Sequence, residues 1–307
     1  MGGLAELLGE VLKRVSPSPE ERERVGSAVE RVVSTLKLAA SELSVDAEVE
    51  VEGSFAKDTW LSGDVDVDVF LLFSPSVSVE ELRVNGLAVA RRAAEIIGAS
   101  WVERYASHPY LTINVGVCKV DVVPAYRVPD PTQIRSPVDR TPFHTSYVRR
   151  KLDEKPELKD EVRLLKRFLE GIGVYGAEVK VEGFSGYLAE LLVIYSGSFL
   201  ELLKMASRWR PYRIAIDIEG HYPSPRSILE RFKDPLVVVD PVDRRRNVAS
   251  PVSLESLSTF IAAARAFLRK PSLNFFYPPL PEVSDPERLL AERAVVAVKL
   301  EVPPLPE

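Results

Sequence analysis

The chain has 307 residues, 46% of them hydrophobic and 28% charged, with a formal net charge of −5. That is enough apolar material for about two or three domains, and it excludes a globally basic nucleic-acid binder. Contact with nucleic acid would then come from local basic patches, of which there are three: Arg149, Arg150 and Lys151; Arg208, Arg210 and Arg213; and Arg244, Arg245 and Arg246. Cys118 is the only cysteine, so an intrachain disulfide framework and a multi-cysteine zinc site are excluded, and a reducing cytoplasm fits. No apolar run approaches the roughly 18 residues of a membrane span. Glu6 stands where a myristoylation signal needs Ser or Thr.

Leu4, Leu7, Leu8, Val11 and Val15 predict a short amphipathic helix over 1–15. Ser16-Pro17-Ser18-Pro19 ends it and starts a second helix with a stripe of Val25, Val29, Val32, Val33, Leu36 and Leu43. Ala47, Val49 and Val51 alternate as a half-buried strand that runs into Gly53-Ser54. A short helix over 54–61 and a strand over 64–73 follow. Residues 79–97 read as helix, and 101–105, 110–115 and 117–123 as three more strands, which closes an α/β or α+β domain near residue 150. From 156 the pattern is helical: a helix through Leu158–Leu169, a long one over 185–208, and another over 253–269, with a brief strand at Val237–Val239. After Lys270 prolines crowd the chain, and one strand (Ala294–Leu300) stands without enough neighbours for a sheet.

The chemistry gathers in GSFAKDTWLSGDVDVDVFLLF, residues 53–73. Glycine at a strand-to-helix turn lets a phosphate approach the backbone, and the first N–H groups of a helix favour an anion. Lys57, one turn further, can reach the same phosphate. Asp64, Asp66 and Asp68 then follow two apart, so a strand aims them to one side, where like charges repel. Carboxylates about 6.6 Å apart on a strand can converge on hard cations about 3.5–4 Å apart. Asp121, between Val120 and Val122 on its own strand, supplies a third carboxylate if the strands adjoin.

A Gly-Ser turn, a short helix and Asp-x-Asp resemble the DNA-polymerase-β-like nucleotidyltransferase superfamily. RYASHPYLTI, VDVVPAY, SPVDRTPFHTSYV, EVRLLKRFLEGIGVYGAE, GFSGYLAELLVIYSGSFL, VVDPVDRRRNVA and PSLNFF, in this order through residue 276, resemble the archaeal (class I) CCA-adding tRNA nucleotidyltransferases more specifically. The resemblance implies an α+β fold. A polymerase-β-like head of mixed sheet and helices (1–150) precedes a mainly helical neck that recognises the base (151–270) and the start of a truncated α/β body domain (271–307).

It also implies an enzyme that adds C, C and A to the tRNA 3′ end from CTP and ATP, with two Mg²⁺ ions held by the catalytic carboxylates Asp66, Asp68 and Asp121. Gly53, Ser54 and Lys57 match the phosphate-binding turn. Thr141, His144, Lys166 and Tyr175 match contacts to the triphosphate and ribose, and His108 a position near the nucleotide. Arg246 matches the base reader, with Arg244 and Arg245 as neighbours that could take its place. Asp64 matches no ligand position, and Glu190, in an apolar helix, reads as a structural hydrogen-bond partner. Family members carry a complete body and a helical tail beyond PSLNFF, so the chain reads as a fragment or a short form that uses a partner or a homodimer interface. Two alternatives stay open: a poly(A)- or oligoadenylate-type polymerase, and a truncated nucleotide- or RNA-binding form.

Overall fold

Period-two alternation builds the first sheet. In a computed structural model of the chain, residues 2–63, 65–104 and 109–279 are described. Asp64, His108, the expected strand over 294–300 and most of the expected body domain lie outside them. Helix α1 (Gly2–Val15) leads to α2 (Pro19–Glu42), which starts at Ser18: its hydroxyl accepts the Glu21 N–H, and Pro19 takes the first helical position. Then come β1 (Ala47–Glu52), α3 (Gly53–Ala56), β2 (Asp66–Phe73), α4 (Val79–Ile97), β3 (Ser100–Arg104), β4 (Tyr110–Asn114) and β5 (Lys119–Tyr126). Helix α4 carries a full capping box between Ser78 and Glu81 and ends at Gly98 in the left-handed conformation.

The five strands lie in the order β1-β2-β5-β4-β3; β2 and β5 run parallel and the other pairs antiparallel. Val67, Val69, Leu71 and Phe73 of β2, with Val120 and Val122 of β5, face a core shared with Val25, Val29, Val32 and Leu36 of α2 and Leu82, Val89 and Ala93 of α4. The other face carries Phe70, Leu72, Val123 and Ala125 in a small apolar layer of its own. Ahead of that layer, on the same face by alternation, stand Asp68 and Asp121.

Helices α5 (Thr141–Glu154), α6 (Leu158–Gly171), α7 (Gly186–Ser196), α8 (Phe199–Ala206), α9 (Pro225–Arg231) and α10 (Leu254–Arg269), with a parallel strand pair β6 (Ala215–Ile216) and β7 (Val237–Val238), make the second half. The long helix expected over 185–208 is two helices meeting at 91°. Gly197 caps α7 in the left-handed conformation, and the Ser198 hydroxyl accepts the Glu201 N–H to start α8. The second core packs Phe168, Phe184, Phe199, Phe260, Phe267 and Phe276 together, with Val11 and Val15 of α1 and Tyr147, Val148 and Leu152 of α5. Between α8 and β6 the Arg213 N–H donates to the Arg210 carbonyl at 3.0 Å, closing a turn around Pro211-Tyr212. Tyr212 has φ = 65° there, a conformation that costs a residue with a Cβ about 1–3 kcal/mol. Among the described residues no single helix is long and apolar enough to cross a membrane.

Candidate active site

A cleft of about 520 Å³ runs between the acidic end of the sheet and helices α5, α6 and α7. Strand pairing forms its floor. Asp68 on β2 is opposite Asp121 on the parallel β5, and Glu52 on β1 is opposite Asp68 on the other side. Burial raises the Asp68 carboxyl to about 6, and the negative charge of Asp121 adds to it. Burial also raises Asp121, although Thr112 donates its hydroxyl to Asp121 Oδ1 at 2.6 Å. Glu52 is pushed up to about 7, first by its burial, and its Oε2 finds no hydrogen-bond partner among the described residues. Asp66 starts the strand; its side chain is 68% exposed and 4.0 Å from Lys119 Nζ.

Gly53 makes the close approach feasible. It has φ = 69°, and a Cβ built on it would lie 1.9 Å from Asp68 Oδ2. Any other residue would push the carboxylate aside or distort the turn.

The facing wall is cationic and compensated. Lys57 Nζ donates to Glu190 Oε2 at 2.6 Å, and Thr59 Oγ1 donates to Glu190 Oε1 at 2.6 Å. Lys166 Nζ donates to the Thr59 carbonyl at 2.9 Å and lies 3.7 Å from Glu190 Oε1. Burial lowers Lys166 to about 8. Burial alone would raise Glu190, but the charges of Lys57 and Lys166 outweigh it and hold the carboxyl below its ordinary value. Glu190, expected as a hydrogen-bond partner, is thus the counter-charge for two lysines that come from α6 and from the turn after α3. Tyr175 lies beside Lys166: a Cβ on Gly186 would come 3.1 Å from its hydroxyl and 3.8 Å from Lys166 Nζ.

At one end of the cleft His144 stacks on Tyr187, ring centroids 4.0 Å apart, and its Nε2 donates to Asp240 Oδ2 at 2.9 Å. Burial keeps the imidazole below its usual pKa. Asp240 also accepts from Tyr187 Oη at 3.2 Å, Arg246 Nη1 at 2.8 Å and the Val242 N–H at 3.1 Å. Burial would raise this carboxyl, but the hydrogen bonds from His144 and Arg246 bring it down to about 2.

Gly53, Ser54, Lys57, Asp68, Asp121, Thr141, His144, Lys166 and Tyr175 therefore line one cleft. Asp66 and Arg246 do not line it: Asp66 stands at the strand's outer end, and Arg246 reaches the cleft only through Asp240. Tyr187 and Asp240 escaped the sequence reading as site residues. The signal for Asp240 was a carboxylate directly after an apolar strand; for Tyr187 there was none. Among the described residues no three His, Cys, Asp or Glu side chains are grouped closely enough to hold a metal ion. What the sheet offers a hard cation is the Asp68–Asp121 pair with Asp66 beside it.

A family model described as nucleotidyltransferase domain matches residues 33–144, and one described as tRNA nucleotidyltransferase, second domain, matches residues 160–277. The chain is 45% identical over 294 residues to the CCA-adding enzyme of Sulfurisphaera tokodaii, covering 95% of this chain and 65% of that protein. It is 46% identical over 277 residues to the CCA-adding enzyme of Pyrobaculum islandicum, covering 90% of this chain and 63% of that one. For the CCA-adding enzyme of Methanothermobacter thermautotrophicus the identity is 44% over 269 residues, with 88% and 58% covered. The chain thus spans somewhat less than two thirds of the length of these curated relatives. In fold it is similar to a cytoplasmic RNA terminal U-transferase, with a TM-score of 0.68 at 14% identity, covering 92% of this chain and 100% of that one. The polymerase core of TRAMP, an RNA surveillance complex, gives a TM-score of 0.63 at 19% identity over 87% of each chain.

Proposed function

Because the chain belongs to the family of the archaeal (class I) CCA-adding tRNA nucleotidyltransferases, we propose that it transfers CMP and AMP from CTP and ATP to the 3′ end of tRNA, writing C, C and A and releasing pyrophosphate. The observation that carries this reading is the register of β2 against β5, which sets Asp68 opposite Asp121 on a cleft whose other wall holds Lys57 and Lys166.

The donor set suits magnesium. Mg²⁺ takes few protein oxygens and fills its shell with water and substrate phosphates, so a pair of adjacent buried carboxylates, Asp68 raised further by the charge of Asp121 and Asp121 by that of Asp66, is an adequate seat. Asp68 and Asp121 would hold two such ions together with Asp66. Bound there, Mg²⁺ supplies Lewis-acid stabilisation of the phosphate charge and lowers the pKa of the attacking hydroxyl. The 3′ oxygen forms a bond to the α-phosphorus while the bond from that phosphorus to the bridging β-oxygen breaks. Asp121 Oδ2 accepts the hydroxyl proton, its Oδ1 being engaged by Thr112. Lys57 and Lys166, with the turn at Gly53 and Ser54, take the triphosphate, and Thr141, His144 and Tyr175 orient it with the ribose. His108, outside the described residues, is assigned to the nucleotide by the family resemblance of its HPY block alone.

Arg246 serves the base. Cytosine and adenine share an exocyclic amino donor beside a ring-nitrogen acceptor, so one pocket can accept both and refuse guanine and uracil. Asp240 holds Arg246 and His144 at fixed positions relative to one another. The proposed compartment is the cytoplasm, where tRNA is matured.

Incubation with a tRNA lacking its terminal CCA, Mg²⁺ and labelled CTP or ATP tests this. Two C residues are expected from CTP alone and one A once both are present. Failure to incorporate either nucleotide overturns the proposal. A product built from ATP with CTP ignored would make the chain a poly(A)-type polymerase instead.

A further inference from the structure

The turn between α8 and β6 puts a tyrosine where the backbone calls for glycine. With Pro211 second, Tyr212 third at φ = 65° and the Arg213 N–H bonded to the Arg210 carbonyl, it is a type II turn. The ring does not compensate by packing: Tyr212 is 53% exposed and belongs to no core. Arg208, Arg210 and Arg213 around it are exposed, and among the described residues none of the three has an ion-pair partner. Tyr195, 43% exposed, and Trp209 line the same shallow hollow between the arginines. Among the described residues, a chain of net charge −5 thus concentrates unpaired positive charge and open aromatic rings around one strained turn.

We infer that Arg208, Arg210 and Arg213 around Tyr212 form an RNA docking surface outside the cleft, the arginines neutralising phosphates and the tyrosine ring stacking on a base. The inference rests on the reading of the cleft as a tRNA nucleotidyltransferase site. Phosphate neutralisation by arginine with interleaved aromatic stacking is the chemistry that grips RNA without reading its sequence. The position fits. The Tyr212 N–H donates to the Pro235 carbonyl at 2.8 Å, and Asp240 lies five residues further along that extended segment, about 16 Å at strand rise. RNA held at the turn is therefore within a few nucleotides of Arg246. An acidic protein or a second copy of the chain is less favoured, because the aliphatic lining of the hollow, Ile214 and Ile216, is already buried and what it exposes is arginine and tyrosine.

The strain makes the test discriminating. The whole chain is titrated with a tRNA lacking its CCA end, by fluorescence anisotropy, between about 50 and 200 mM salt. Tyr212→Gly is expected to weaken binding about ten-fold while its melting temperature equals or exceeds that of the parent. Arg210→Gln/Arg213→Gln is expected to reduce the slope of log affinity against log salt by about 2. CTP and ATP binding stay unchanged in both. The inference is overturned if either variant binds the tRNA as the parent does, or if the parent binds no tRNA. It is equally overturned if the variants lose only self-association in sedimentation and keep their RNA affinity. Nucleotide incorporation by the parent, read in parallel, separates the two claims: incorporation with undiminished RNA affinity in the variants removes the docking surface and leaves the enzyme.

Discussion

The two walls of the cleft handle charge in opposite ways. On the sheet side Asp68 and Asp121 face each other with no cation bonded to either among the described residues, and burial raises both carboxyls. On the helical side Lys57 and Lys166 share one fully buried counter-charge, Glu190. An uncompensated pair awaits a ligand of opposite sign; a compensated cluster holds its geometry before any ligand arrives. On the proposed function, the first would seat cations and the second would be a preset grip for the phosphates that accompany them.

Breaking the acidic wall should have the largest effect. Asp68→Asn is expected to cut the proposed nucleotide transfer by about a thousand-fold or more, since it would remove a carboxylate from the proposed metal seat. Its melting temperature in EDTA should be no lower than that of the parent, because a like-charge contact goes with it. Mg²⁺ should raise the melting temperature of the parent and not that of the variant. A variant that keeps half of the parent's rate would refute the assignment.

Breaking the basic wall should instead cost stability. Glu190→Gln leaves two lysines buried without a counter-charge, a change expected to destabilise by about 3–5 kcal/mol. Calorimetry should show a fall in melting temperature of about 10 °C. A fall under 2 °C would mean that the lysines find another partner.

Gly53→Ala probes the contact between the walls and the turn. The methyl group would meet Asp68 Oδ2 and the left-handed φ together, so a loss of about 2 kcal/mol in stability should accompany a rise in the KM for nucleotide. A denaturant titration that matches the parent would contradict this.

The smallest effect concerns acid. His144 is held below its ordinary pKa by burial, so the unfolded chain takes up that proton first and stability declines as pH falls through 6.5. Asp240, near 2 in the fold against 3.8 otherwise, contributes about 2 kcal/mol above pH 4, and this is lost as pH falls toward 2. Asp240→Asn should flatten the lower part of the curve; a curve that stays unchanged would show that the carboxylate does not act this way.

Local pattern made part of this legible from the residues alone. Alternation of Val67, Val69 and Leu71 with Asp66, Asp68 and Phe70 fixed which face each would take, and the helix over 79–97 was readable to its last residue because Ser78, Glu81 and Gly98 mark its ends. Nonlocal pairing was not. That β5 lies beside β2, with Asp121 level with Asp68, depends on a crossover through α4, β3 and β4. The bond from Lys57 to Glu190 spans 133 positions, so Glu190 could be read only as a polar residue in an apolar helix. The break between α7 and α8 was written in Gly197-Ser198, but the apolar stripe ran on through both helices and masked it.

The parallel register of β2 and β5 sets a rule for how this sequence can change over time. Side chains on a strand alternate strictly between faces, so the turns outside the paired strands can gain or lose residues while the ladder stays aligned. A single insertion or deletion within Lys119–Val122 would rotate Asp121 into the apolar layer beneath α2 and α4 and bring a valine to the cleft. Length variation among descendants of this chain should therefore gather in the connections and spare those four positions.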